Sequence, residues 1–227
     1  MKLLLVCGPW GSGTTAVAGL LAQLGAVGFG PYLQTSDERM ENSYELIPFR
    51  EMVQSVASEQ FVSVKSGVDV EAAVRKFRDR IISQELGPYD VTSGPPIFLK
   101  YPLSALIVPQ ICKVFDTHLI YVVRPLGDIE ATRVRRNWEA LYGAKGAEVI
   151  YWHMFTLLIN QVLPTTIVRY PELIAWPLEH TRLLAGLAGL RCNDRASRRF
   201  PWQRKPSSSH CGGFGLRLRL LSSSAEM

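Results

Sequence analysis

Residues 3–16 read Leu-Leu-Leu-Val-Cys-Gly-Pro-Trp-Gly-Ser-Gly-Thr-Thr-Ala: a short apolar strand that runs through a glycine- and hydroxyl-rich turn into an apolar helix. Gly8, Gly11 and Gly13 let the backbone curl with its N–H groups pointing inward, and the helix that follows adds the positive end of its dipole. Such a turn collects anions. The same strand-then-helix order recurs along the chain. Strands are predicted over residues 3–7, 61–65, 97–100, 119–124 and 166–169. Helices are predicted over 14–24, 44–57, 70–86, 103–115, 128–140, 147–162 and 171–187. Alternation of this kind predicts a three-layer α/β domain, a mostly parallel central sheet with helices on both faces. Its 227 residues and 47% apolar content are enough for one such domain with a sizeable core, and exclude a disordered chain.

Ligands of such sheets bind beyond the carboxyl ends of the strands, where residues 8–15, Lys100 and Arg124 all fall. The spacing Gly8-x4-Gly13-x-Thr15 matches the P-loop except at Thr14, which replaces the lysine that grips the outer phosphates of a nucleoside triphosphate. Without it the loop can hold a phosphate but is poorly equipped to transfer a terminal phosphoryl group. A second strand-turn-helix unit ends its apolar run 118–123 in Arg124-Pro125-Leu126-Gly127-Asp128 and continues as a helix carrying Thr132. Arg124 offers a planar fork to phosphate oxygens. A third strand, residues 96–100, ends in Lys100-Tyr101-Pro102.

The core Ser12-Gly13-Thr14-Thr15 resembles the phosphosulfate-binding loop of the sulfotransferase superfamily, and the chain is most similar to its divergent bacterial members. The resemblance implies that Gly8, Gly11, Ser12, Gly13, Thr14 and Thr15 bind the 5′-phosphate of 3′-phosphoadenosine 5′-phosphosulfate, the co-substrate. It implies that Arg124 and Thr132, eight residues apart, hold the 3′-phosphate. The family carries a lysine or arginine just before the loop core, where this chain has Gly11. Cytosolic members place a histidine shortly after the lysine of the third strand. Tyr101 and Pro102 stand there instead, which leaves the general base unassigned and Lys100 as a candidate for charge stabilisation at the acceptor. Alternatively, Lys100 is a snorkelling lysine at a sheet edge. Asn42 and Glu45 match an Asn-then-acid pattern of bacterial relatives in a polar stretch, residues 30–45, that reads as an acceptor-facing lid or a solvated loop; Asp37, Glu38, Arg39 and Glu41 belong to it. Arg169-Tyr170-Pro171 resembles the turn into the closing helix of bacterial sulfotransferase domains.

The resemblance thus implies sulfuryl transfer to a hydroxyl or amine on a small-molecule or carbohydrate-type acceptor. A P-loop kinase or nucleotide-binding protein, and a catalytically inactive sulfotransferase-like binding protein, are the alternatives. No metal is expected, since His118, His153, His180 and His210 are widely spaced and Cys7, Cys112, Cys192 and Cys211 form no paired ligand set. Cys7 and Cys112 lie in apolar runs and read as reduced core thiols. The apolar start is too short for a signal peptide, and no later run approaches spanning length, so a cytoplasmic protein with no membrane partner is expected. The pattern closes at residue 190. Residues 191–227 hold 8 Lys+Arg against 2 Asp+Glu and read as a basic, disordered tail, with nucleic acid not favoured as its partner.

Overall fold

The computed structural model describes residues 1–35, 42–58, 60–84, 93–160 and 163–190. The tail 191–227, with Cys192, His210 and Cys211, and the lid residues Asp37, Glu38, Arg39 and Glu41 lie outside the described residues. Four strands, β1 (Lys2–Cys7), β2 (Ile97–Lys100), β3 (Asp116–Val123) and β4 (Thr165–Arg169), form a sheet in the order β2-β1-β3-β4, every pair parallel. The helices are α1 (Thr14–Leu24), α2 (Ile47–Val56), α3 (Val70–Gln84), α4 (Val108–Val114), α5 (Leu126–Arg135), α6 (Ala144–Asn160), α7 (Tyr170–Ala175) and α8 (Pro177–Ala188), with short 3₁₀ turns at Pro102–Leu106 and Ala140–Tyr142.

Alternate residues of each strand feed opposite layers, as the strand period requires. Leu3, Leu5, Leu99, Leu119 and Tyr121 pack with Phe49, Val74, Ile111 and Met154 from α2, α3, α4 and α6. Leu4, Val6, Phe98, Ile120 and Val168 pack with Val17, Leu21, Leu173 and Leu184 from α1, α7 and α8. This is the α/β three-layer arrangement. From β1 the chain builds outward to β2 on one side and then returns to β3 on the other, so the loops after β1 and β3 splay apart at a topological switch point. The crevice between them is where the candidate site forms.

Several elements differ from the sequence-based expectation. Residues 61–65 are not a strand of this sheet. The Ser58 hydroxyl accepts the Val62 and Ser63 amides, the Ser58 amide donates to the Ser63 carbonyl, and Lys65 N–H donates to Val56, which curls the chain back on α2 as a turn. The helix expected at 103–115 is a 3₁₀ turn followed by α4, broken at Ile107, with Pro109 in the first turn of α4. The one expected at 171–187 divides at Trp176, because Pro177 suits a helix start and not its interior. Helix α2 begins at Ile47, α5 spans Leu126–Arg135 and α6 begins at Ala144. No helix among the described residues is long and apolar enough to cross a membrane, and no group of three or more His, Cys, Asp or Glu among them could hold a metal ion. His118 instead pairs with Thr166 across β3 and β4 at 2.9 Å, and burial lowers its pKa.

Candidate functional site

A cavity of about 1380 Å³ opens beyond the carboxyl ends of the strands. Gly11, Gly13, Thr14 and Thr15 line it from the loop, Lys100 from the end of β2, and Arg124 and Thr132 from the end of β3 and from α5. Gly8 and Ser12 are not part of the lining. Gly8 lies where a Cβ would run into the Val122 carbonyl, and the Ser12 hydroxyl is fully buried without a hydrogen-bond partner among the described residues.

The loop's shape depends on its glycines. Gly11 (φ +76°) and Gly13 (φ +103°) occupy the left-handed region, and Gly13 caps α1, its carbonyl accepting the Ala16 and Val17 amides. A Cβ on Gly13 would meet the Tyr170 ring, so only glycine lets that ring lie on the loop. Position 11 therefore opposes any side chain. Gly11→Lys is expected to cost about 1–2 kcal/mol in stability, roughly 2–8 °C of melting temperature for a domain of this size. An unchanged thermal melt would show that the loop tolerates a side chain there.

Arg124 is held on every side. The Tyr151 hydroxyl accepts the Arg124 amide and donates to its carbonyl, both at 2.8 Å. Its Nη1 donates to the Gly11 carbonyl at 2.9 Å and to Thr132 Oγ1 at 3.2 Å, and its guanidinium lies 5.0 Å from the centre of the Tyr170 ring. Asp128 lies 3.7 Å from Nε, too far for a hydrogen bond, and Nε is buried without a partner among the described residues. Thr132, itself buried, donates to the Asp128 carbonyl at 2.9 Å, so the hydroxyl bonds its own helix and also accepts from Arg124. Arg124 thus joins Thr132, eight residues on, to the glycine loop, 113 residues earlier in the sequence.

Lys100 is not a snorkelling lysine. Its side chain is only 4% exposed, and Nζ donates to Glu45 Oε1 at 2.6 Å, to the Ser43 carbonyl at 3.1 Å and to Thr15 Oγ1 at 3.1 Å. These use all three of its donors. Glu45, whose amide is held by Ser43 Oγ, lines the cavity beside it. Since Thr15 Oγ1 accepts from Lys100, its own proton remains to be donated into the cavity. The neighbouring strand thus brings an ammonium, paired with Glu45, up to the loop at Thr15.

Sequence reasoning missed an aromatic wall and two polar residues. Trp10 makes edge contacts with Tyr142 at 5.0 Å and Tyr101 at 6.5 Å, and Trp138 meets Tyr142 at 6.3 Å, with the Arg136 guanidinium 4.8 Å from the Trp138 ring. Arg50 and Gln54 of α2 line the cavity beside Tyr101, whose hydroxyl pKa burial pushes up to about 12. Trp10, an aromatic inside a glycine loop, was the one signal visible in the sequence.

No protein-family model matches the chain, and no curated protein matches it. Among solved structures it is similar to a sulfotransferase domain from the Synechococcus PCC 7002 olefin synthase, at 14% identity and a TM-score of 0.52, covering 89% of this chain and 77% of that one. It is also similar to a sulfotransferase domain from the curacin biosynthetic pathway, at 16% identity and a TM-score of 0.53, covering 89% of this chain and 78% of that one. The fold is sulfotransferase-like.

Proposed function

We propose that the protein binds 3′-phosphoadenosine 5′-phosphosulfate and transfers its sulfuryl group to a hydroxyl or amine of a small-molecule or carbohydrate-type acceptor. The observation that carries this reading is the convergence of the glycine loop with Arg124 and Thr132 on one cavity. A nucleoside with phosphates at both its 3′ and 5′ positions needs two separate anion sites. The amides of the loop and the start of α1 suit the 5′ side. Arg124 suits the 3′ side, since its guanidinium lines the same cavity and can bond phosphate oxygens. At about 1380 Å³ the cavity exceeds the ~300–1,000 Å³ of pockets that hold a single small ligand, which leaves room for an acceptor beside the nucleotide.

When bound, the nucleotide supplies an activated sulfuryl group. The acceptor oxygen or nitrogen forms a bond to sulfur as the bond from sulfur to the 5′-phosphate oxygen breaks; the electron pair stays on that phosphate and the acceptor's proton leaves. We assign that proton to Glu45, a carboxylate of the cavity lining that Lys100 holds in position. Through Thr15, Lys100 also orients a hydroxyl donor beside the loop, where negative charge grows on the leaving phosphate. The free thiols of Cys7, which burial pushes up to about 12, and of Cys112 suit a reducing, cytoplasmic setting.

Calorimetry tests the reading. Adenosine 3′,5′-bisphosphate is expected to bind clearly more tightly than ATP with magnesium. The reverse preference would overturn the sulfotransferase reading and return the loop to the nucleoside triphosphates, despite Thr14 standing where their lysine belongs.

A further inference from the structure

The cavity carries a charge on α2 that the proposed sulfuryl transfer does not use. Arg50 and Gln54 lie four residues apart on α2 and so share one face. Both line the cavity with Tyr101, one residue beyond Lys100, and both lie close enough to its hydroxyl to hold its pKa down against burial. The pair Glu45–Lys100, which faces the reacting hydroxyl in the mechanism above, therefore adjoins the group Tyr101, Arg50 and Gln54. Among the described residues no carboxylate forms an ion pair with Arg50, and the nearby Glu45 is committed to Lys100 at 2.6 Å. Leu33, Phe61 and Leu103 add apolar surface to the lining.

We propose that the acceptor is an alcohol that also carries an oxyanion, with Arg50 and Gln54 holding the oxyanion while its hydroxyl faces Glu45. This rests on the sulfuryl transfer proposed above. A neutral alcohol filling this space would strip water from the Arg50 guanidinium and return only the Tyr101 hydroxyl as a partner. A carboxylate or phosphate would replace that water with charge-assisted hydrogen bonds, which a guanidinium makes in pairs. Gln54 adds an amide donor, and Tyr101, kept protonated at physiological pH, adds a hydroxyl. The apolar residues of the lining favour a hydrocarbon or aromatic body over a fully polar one. The acceptor class is then a hydroxylated carboxylic acid or an alcohol bearing a phosphate ester.

Binding of a panel of hydroxy acids to the full chain tests this: 3-(4-hydroxyphenyl)propionate and linear ω-hydroxy acids of graded length, each beside its methyl ester, measured by calorimetry with and without saturating adenosine 3′,5′-bisphosphate. At least one acid is expected to bind tenfold or more tightly than its ester. A phosphate-bearing counterpart of that acid separates the two oxyanion sources by which of them binds tighter. Arg50→Met is expected to erase the advantage of the acid. Gln54→Glu, which leaves Arg50 and its packing in place, is expected to erase it as well by setting a carboxylate where the ligand's would sit. If no acid on the panel is preferred over its ester, or if Gln54→Glu leaves the preference intact, the proposal is overturned. An acid preference without any bisphosphate binding would sink the nucleotide reading alone, and bisphosphate binding without an acid preference would sink this proposal alone.

Discussion

Replacing Lys100 with methionine is expected to lower the stability of the fold by about 3–5 kcal/mol, because it leaves the Glu45 carboxylate buried and without its partner. In a domain of this size that is roughly 6–20 °C of melting temperature. The size of the effect follows from burial. Both side chains of the pair are less than a tenth exposed, so water cannot take over the lost contact as it does for surface pairs such as Arg75–Glu71. Lys100 also ties together three segments, since its ammonium meets Glu45, the Ser43 carbonyl and the Thr15 hydroxyl. The double variant Lys100→Met/Glu45→Leu removes both charges and is expected to recover most of the loss, as apolar replacements of buried pairs commonly do. Thermal melts of wild type, single and double variants decide the matter. A single variant within about 1 kcal/mol of wild type would show that the pair is solvated, which would also weaken its assignment to the acceptor chemistry.

That pair marks the boundary of what the sequence makes legible. That the loop, Arg124 and Thr132 lie at the carboxyl ends of strands could be read because the pattern is local: a strand, a turn and a helix start lie within a dozen residues, and the turn residues carry the signal. The parallel sheet followed from the repeated alternation of strand and helix for the same reason. Lys100 was visible as a basic residue at a strand end, but its partner lies 55 residues earlier in the chain, and no periodicity links the two. The aromatic wall shows the same limit. Trp10, Tyr101, Trp138 and Tyr142 come from three separate segments, and only the packing of the loop, the end of β2 and the turns after α5 brings them together. Where the reading of elements failed, a single residue overrode the pattern: Ser58 by capturing two amides of the expected strand, Pro177 by starting a helix inside an expected one.

Arg124→Ala is expected to weaken binding of adenosine 3′,5′-bisphosphate by about 1.5–3 kcal/mol, tenfold to more than a hundredfold in Kd, the value of a charged hydrogen bond to a phosphate. Adenosine 5′-monophosphate, which lacks the 3′-phosphate, is expected to bind the variant and the wild type nearly alike. The contrast between the two ligands matters because Arg124 also braces the loop. Its Nη1 bonds the Gly11 carbonyl, and Tyr170 is sandwiched between its guanidinium and Gly13, so truncation can loosen the 5′-phosphate site as well. Loosening would weaken both ligands by the same factor, whereas loss of a 3′-phosphate contact would weaken only one. Thr132→Ala gives the complementary measurement. Its hydroxyl donates to its own helix at Asp128 and serves Arg124 as an acceptor, so its removal is expected to cost less than the loss of Arg124 and to fall again on the bisphosphate alone. Equal losses for both nucleotides in Arg124→Ala would assign the arginine to the architecture of the loop and remove the 3′-phosphate contact from the proposal.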